Sequence, residues 1–161
     1  MKVKTLGATA AAVAATAIAG SAATSSSVKS PWYARLRKPS YQPPPKVFPI
    51  VWPLLYTDIA VVSTDTIDGL TNAGGDDAAR AYRTALGINL VLNAGWSWVF
   101  FNRRRPGLAA LTAGALTASS ADLTRRAVTA RGLRAAPLAA YPAWCAFATV
   151  LSSHIWWLNR R

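Results

Sequence analysis

The sequence predicts an all-α membrane protein: a bundle of five transmembrane helices, with a structured loop rich in proline and aromatic residues between the first two. Two observations and one physical constraint predict this class. Of the 161 residues, 52% are hydrophobic and 15% are charged, whereas about 25% of a typical soluble domain is charged. Five apolar segments have the length of about 20 residues that a helix needs to cross a hydrocarbon core. Backbone groups in lipid must be satisfied within each segment, which favours helices over open strands.

We expect one domain over residues 1–161, with no internal repeat. Its helices are predicted at about 6–26, 47–66, 80–101, 107–126 and 136–158. The first of these, within TLGATAAAVAATAIAGSAATSSS, follows Lys2 and Lys4, an arrangement that a secretory signal peptide shares. Cleavage there would leave four spans. We interpret the segment as a retained helix that packs through its small residues against its neighbours.

The charges exclude a typical nucleic-acid-binding surface. The chain has 18 Lys and Arg and six acidic residues, all Asp, which gives a net charge of +12. A nucleic-acid binder gathers its cations on one face, whereas here they fall in short clusters between the apolar segments, as in the loops of multi-pass membrane proteins. We therefore expect the lipid bilayer as a partner and no nucleic acid.

The distribution of cations also predicts an orientation. The loops after the first and third segments and the C-terminus carry slightly more Lys and Arg than the opposite side, and no acid. By the positive-inside rule the C-terminus is then cytoplasmic, in the membrane of a bacterial cell.

The loop PWYARLRKPSYQPPP, residues 31–45, is predicted to be stiff. Its prolines disfavour a helix, and its Trp32, Tyr33 and Tyr41 are unusual for a free linker. We expect it to fold over one end of the bundle with its aromatic side chains directed inward. Residues 28–35, VKSPWYAR, also match the loose sterol-recognition pattern, which is only a hypothesis-grade signal.

Polar residues inside the third segment allow two interpretations. Asn89 and Asn93 are four residues apart and therefore share a helix face, which Trp96 and Ser97 continue. A buried amide needs a hydrogen bond, so the pair either links helices or lines a pocket for a flat, largely apolar ligand. The sequence leaves both open.

Asp58 is the acid set within a predicted span. An intramembrane carboxylate is a functional candidate by default, but it could equally be neutral and bonded to Ser or Thr on another helix. Cys145 and His154 are each the single residue of their type, so neither a disulfide nor a Cys/His metal site is expected. No nucleophile with an adjacent base is visible, and conventional hydrolytic catalysis has no support.

The seven tryptophans divide into two groups. Trp98, Trp156 and Trp157 lie near segment ends and fit an interfacial aromatic belt. Trp52 and Trp144 fit a belt less well, because further apolar turns continue beside them.

Three motifs then point to a family. The run WYARLRKPSYQPP, with Phe48 and Trp52 after it, resembles the W-Y-x-x-L-x-K-P-x-x-x-P-P … V-W pattern of the TspO/translocator protein family, the tryptophan-rich sensory proteins. NLVLNAGWSWVFF looks like the family's N-x-x-x-N-x-x-[WF]-[SN]-x-x-F-F segment. YPAWCAFATVLSSHIWWLN resembles its Y-x-x-W-x-x-F-A-T-x-L-x-x-x-I-W-x-L-N ending. The motifs occur in the family's order from Pro31 to Asn159.

The resemblance implies a five-helix membrane receptor or sensor, often a homodimer, that requires no cofactor. Its ligands would be tetrapyrroles such as protoporphyrin IX and haem, sterol-like lipids and benzodiazepine-type compounds. Transport of porphyrin or lipid is the alternative function, to be separated by vesicle efflux. Light- and oxygen-dependent breakdown of protoporphyrin IX is a further activity that the resemblance leaves open.

By the same resemblance, the ligand pocket lies between the helices under the loop. The positions that match the family's ligand-binding residues are Tyr33, Pro43, Phe48, Trp52, Asn93, Trp96, Ser97, Trp144 and Ala148. Trp52 and Trp144 would be the pair involved in porphyrin breakdown, because an electron-rich indole stacks on the macrocycle and is oxidisable. No metal site is implied.

The sequence also departs from the family pattern. Thr112 is nearest to the place of an acid early in the fourth span, and Trp157 stands where a basic residue is common. Pro142 follows Tyr141, which moves the proline of the family's Pro-Tyr pair by two residues. His154 replaces the Tyr of the sterol motif, which weakens the expectation of a sterol ligand.

Overall fold

The computed structural model describes residues 1–160, which form helices and connecting loops without a strand. Five long helices and one short one succeed each other along the chain. They are α1 Val3–Ser25, α2 Pro31–Arg35, α3 Phe48–Asn72, α4 Asp76–Ser97, α5 Pro106–Arg131 and α6 Ala140–Asn159. A π-helical turn, Trp98–Asn102, extends α4, and the 3-10 segment Gly132–Ala139 joins α5 to α6.

Four helical stretches are long and apolar enough to cross a membrane: Val3–Lys29, Pro45–Asn72, Asp76–Asn102 and Pro106–Asn159. The last has 54 residues and reverses direction at Gly132, whose φ of +60° lies in the left-handed region that glycine tolerates. It therefore contains α5 and α6 as antiparallel neighbours. The prediction of an all-α protein with five long helices, in stretches apolar enough to cross a membrane, is confirmed.

Two helices extend beyond the ends that hydropathy predicts. α3 continues past residue 66 to Asn72, and α5 continues past residue 126 to Arg131. The extension of α5 is joined to α3 by an ion pair in which Arg131 donates from Nε and Nη2 to the carboxylate of Asp65, at 2.7 and 2.8 Å. The pair stabilises the last, polar turn of α5 against α3.

The start of α6 differs from the prediction in the other direction. The fifth segment was expected to be helical from about residue 136, but residues up to Ala139 form a 3-10 segment and α6 begins at Ala140. Pro137 lies within that segment and has no N–H for an α-helical hydrogen bond.

The alanine-rich α1 packs on α3 and α4 through small residues, as expected. The hydroxyl oxygens of Thr9 and Thr64 lie 2.5 Å apart, and Gly20 and Ala23 are buried. Near the end of α4, the indole of Trp98 donates to the carbonyl of Ala19 at 3.1 Å. Close backbone approach and polar links therefore replace large apolar side chains in holding this helix.

Gly69 leaves room for the ion pair between α3 and α5. A Cβ at this position would lie 2.6 Å from Nη1 and 2.8 Å from Cδ of Arg131. We expect Gly69→Ala to displace the arginine and to lower the free energy of unfolding by about 1 kcal/mol, since the pair is partly exposed. Thermal unfolding in detergent, followed by circular dichroism, measures the change.

Gly87→Ala is the matched control for this prediction. Gly87 is also helical, but a Cβ there meets nothing within 4 Å, so alanine should be neutral or stabilising through its higher helix propensity. Equal midpoints for the two variants would contradict the role assigned to Gly69.

Candidate functional site

An aromatic wall runs between α3 and α6. It consists of Phe48, Trp52 and Tyr56, one turn apart on α3, and Trp144 on α6. The ring centroids of Phe48 and Trp144 lie 5.9 Å apart, and those of Trp52 and Trp144 lie 6.5 Å apart with planes at 88°. Trp52 stacks on Tyr56 at 5.4 Å. Because residues four apart share a helix face, the sequence of α3 alone places its three rings in one row.

A polar network lies where the wall meets α4. The hydroxyl of Tyr56 donates to Oδ1 of Asn93 at 2.9 Å, and Nδ2 of Asn93 donates to the hydroxyl of Tyr141 at 2.9 Å. That hydroxyl donates to Oδ1 of Asn89 at 2.9 Å, and Nδ2 of Asn89 donates to Ser119 at 3.2 Å. In this structure both asparagines therefore link α3, α4, α5 and α6.

Tyr56 and Tyr141 are the members of this arrangement whose role the sequence did not reveal. Tyr141 is fully buried and bridges the two amides. The sequence does contain one indication of this role: a tyrosine lies within an apolar segment, and a buried phenol needs a hydrogen-bond partner. Which partner it finds depends on the rotation of three helices, and hydropathy does not report that.

The loop between α1 and α3 packs on the end of α4. Tyr33 lies 5.9 Å from Phe101 by ring centroids, and Trp96 stacks on Phe100 at 5.8 Å. The side chain of Asn159 fastens the loop to α6: its Oδ1 accepts from the backbone N–H of Arg37 at 3.0 Å and its Nδ2 donates to the carbonyl of Arg37 at 2.9 Å.

Two buried polar atoms occur in this region without a protein partner among residues 1–160. They are Oε1 of Gln42 and Nε1 of Trp96. The other end of the Gln42 amide donates to the hydroxyl of Tyr33 at 3.3 Å. An unpaired buried polar group costs about 1–3 kcal/mol, so both atoms are candidates for contact with a ligand. The sequence did not single out Gln42, which reads as an ordinary polar loop residue.

The remaining predicted residues lie outside the aromatic wall and the polar network. Pro43 and Ala148 are half-buried. Ser97 faces α1, because a Cβ on Gly20 would lie 3.4 Å from its Oγ. Asp58 is half-buried on α3, and its Oδ2 has no hydrogen-bond partner in the described residues.

His154 contributes to the loop contact rather than to a metal site. Its Nδ1 lies 3.0 Å from the hydroxyl of Tyr41, which ties the proline-rich part of the loop to α6. Among residues 1–160 there is no cluster of three or more His, Cys, Asp or Glu that could hold a metal ion.

One surface therefore brings together Phe48, Trp52, Trp144 and Asn93. Tyr33 and Trp96 pack against Phe101 and Phe100, where the loop meets α4. The indole faces offer stacking for a flat apolar molecule, and the network beside them offers donors and acceptors. Trp144 also packs on Phe147 at 5.5 Å between centroids, so a ligand entering between α3 and α6 has to displace aromatic side chains.

Comparison with known proteins shows the family of this chain. A model of the TspO/MBR family matches residues 8–158. The chain is 33% identical over 128 residues to the translocator protein of Homo sapiens, covering 78% of this chain and 73% of the relative. It is also 33% identical over 150 residues to the tryptophan-rich protein TspO of Archaeoglobus fulgidus, covering 92% of each. The chain therefore belongs to the TspO/MBR family.

Proposed function

We propose that this membrane protein is a receptor for a tetrapyrrole, protoporphyrin IX or haem, which it binds between α3, α4 and α6 beneath the loop. The observation that carries the proposal is the aromatic wall, in which Trp52 and Trp144 stand at right angles beside a buried polar network. A broad, flat and largely apolar molecule matches such a surface better than a small polar one does.

The energetics of stacking support a macrocycle. Each aromatic pair contributes about 0.5–1.5 kcal/mol beyond the apolar area it buries. A porphyrin is wide enough to contact several rings at once, so the contributions of Phe48, Trp52 and Trp144 would accumulate in one complex. Its carboxylates would then lie toward the loop, where the ammonium of Lys38 sits 4.0 Å from the ring centroid of Tyr33.

The loop would act as the cover of this site. Asn159 holds its backbone, and Tyr41 meets His154, so the loop is fastened to α6 at two places. Gln42 directly follows Tyr41 in the loop, and Trp96 lies on α4; their unpaired polar atoms would find partners on the ligand. Tyr33 and Pro43 are the loop positions that we assign to ligand contact.

Titration with protoporphyrin IX tests the proposal. Addition of the porphyrin to the purified protein in nanodiscs should quench tryptophan fluorescence saturably, at one equivalent per chain. Trp144→Ala should raise Kd by about tenfold, the value of one strong aromatic contact. Trp157→Ala, at an exposed position of the same helix, is the matched control and should leave Kd unchanged.

Two outcomes would contradict the proposal. One is quenching that grows linearly with porphyrin and equals that of empty nanodiscs mixed with a soluble tryptophan peptide. The other is an equal loss of affinity in Trp144→Ala and Trp157→Ala, because binding at the outer surface would not distinguish the two indoles.

A further inference from the structure

The end of the bundle that carries the loop has cations and no acid. This loop end consists of residues 26–47, residues 102–105, and the last turn of α6 with the Arg160 that follows it. Its cations are Lys29, Arg35, Arg37, Lys38, Lys46, Arg103, Arg104, Arg105 and Arg160. All ion pairs within residues 1–160 use other cations. The loop end is therefore a strongly positive surface without internal neutralisation, at the level where lipid headgroups would lie.

An open groove begins at this end and runs along the outer face of α5 and α6. Its volume is about 970 Å³, at the upper end of the range of about 300–1,000 Å³ for ligand sites. Its floor consists of small residues of α5, Gly107, Ala110 and Gly114, and Val150 and Ser153 of α6 line its side. Leu111 and Thr149 also line it, and the small side chains at Ala110 and Gly114 leave room for a hydrocarbon chain along the two helices.

The mouth of the groove combines indoles with a cation. The guanidinium of Arg160 lies 5.9 and 5.5 Å from the ring centroids of Trp156 and Trp157, and both indoles line the groove. A Cβ on Gly107 would lie 2.8 Å from Nε1 of Trp156, so that ring lies directly on the glycine. Indole rings with a basic group above them are typical of the headgroup level.

We propose that this groove binds an anionic phospholipid, with one acyl chain between α5 and α6 and the phosphate beside Arg160. Charge complementarity selects the occupant: a zwitterionic lipid fills the apolar groove equally well, but only a lipid with net negative charge gains from the unneutralised loop end. The site faces outward, across α6 from the aromatic wall, and it is bordered by Tyr41 and His154, whose contact fastens the loop.

Lipid titration of the purified full chain tests this inference. In detergent micelles, dioctanoyl phosphatidylglycerol should bind saturably and at least about fivefold more tightly than dioctanoyl phosphatidylcholine, since one basic residue near an anionic surface changes affinity by about that factor. Native mass spectrometry counts the bound lipids, and one should be retained preferentially. Equal affinity for the two lipids would overturn the proposal.

Two variants locate the site. Gly114→Leu fills the groove and should abolish the preferred binding; a Cβ there meets only Cγ2 of Thr149 at 3.9 Å, so the backbone accepts it. Arg160→Gln should weaken phosphatidylglycerol by about fivefold and leave phosphatidylcholine unchanged. The controls are Gly87→Leu and Arg83→Gln, away from the groove. Wild-type affinity in Gly114→Leu would overturn the proposal.

Brominated acyl chains provide a measurement that does not depend on a variant. Phosphatidylglycerol brominated along its chains should quench the tryptophan fluorescence of the wild-type protein saturably, through Trp156 and Trp157 at the mouth. The matching brominated phosphatidylcholine should quench only in proportion to its content in the micelle. Identical quenching by the two lipids would overturn the proposal, even if Gly114→Leu failed to fold.

Discussion

Replacing Trp52 and Trp144 together by phenylalanine should remove most of the light-dependent breakdown of protoporphyrin IX that we propose for this site, while part of the binding remains. Phenylalanine keeps a flat face for stacking, so Kd should rise by no more than about tenfold, the worth of the stacking that is lost. It lacks the electron-rich indole that we propose as the oxidisable partner of the porphyrin, with oxygen as the oxidant. Product formation under light, measured at saturating porphyrin, separates the two effects.

The control for this prediction is the double variant Trp156→Phe with Trp157→Phe. It removes the same number of indoles from α6 at exposed positions and should leave product formation unchanged. If Trp52→Phe with Trp144→Phe formed product at the wild-type rate, the indoles of the aromatic wall would have no part in the breakdown. The proposed binding site would then stand without an enzymatic role.

Tyr141→Phe should destabilise the bundle by about 2 kcal/mol, because it deletes the hydroxyl that bridges two amides. Oδ1 of Asn89 loses its donor and Nδ2 of Asn93 loses its acceptor. Both amides are almost completely buried, at 0% and 2% exposure, so water does not replace the lost bonds. The midpoint of thermal unfolding in detergent measures the effect.

Tyr41→Phe is the matched substitution at the surface. It also removes one tyrosine hydroxyl, from the contact with His154, but Tyr41 is 43% exposed and the change should stay within about 0.5 kcal/mol. A midpoint of Tyr141→Phe equal to that of Tyr41→Phe would show that the polar network does not hold the helices together.

Hydropathy was sufficient to predict the fold class, because each of the five long helices contains a long apolar segment. It failed at the ends of α3 and α5; the last residue of α5, Arg131, pairs with Asp65 across 66 positions of the chain. A helical turn that carries charges looks like a loop in the sequence when the residues that pair with those charges are unknown. The 3-10 segment before α6 was missed for a similar reason, since Pro137 limits the local hydrogen bonds without changing the apolar character.

The candidate site was partly visible in the sequence. The spacing of Phe48 and Trp52, and of Asn89 and Asn93, places each pair on one helix face, and the structure shows both faces directed toward other helices. The bridging role of Tyr141 was not visible, because it depends on how α6 is rotated against α4. For the same reason the sequence could not show that Ser97 faces α1.

The most direct test of a tetrapyrrole site in the bundle is to map which tryptophans are photo-oxidised by the bound porphyrin. Illumination of the protein with one equivalent of protoporphyrin IX in air should oxidise Trp52 and Trp144 first, as mapped by peptide mass spectrometry. Both are half-buried, whereas Trp156 and Trp157 are 44% and 55% exposed. A water-soluble photosensitiser should produce the opposite order. If protoporphyrin IX also oxidised Trp156 and Trp157 first, the porphyrin would not lie against the aromatic wall, and the proposed site would be wrong.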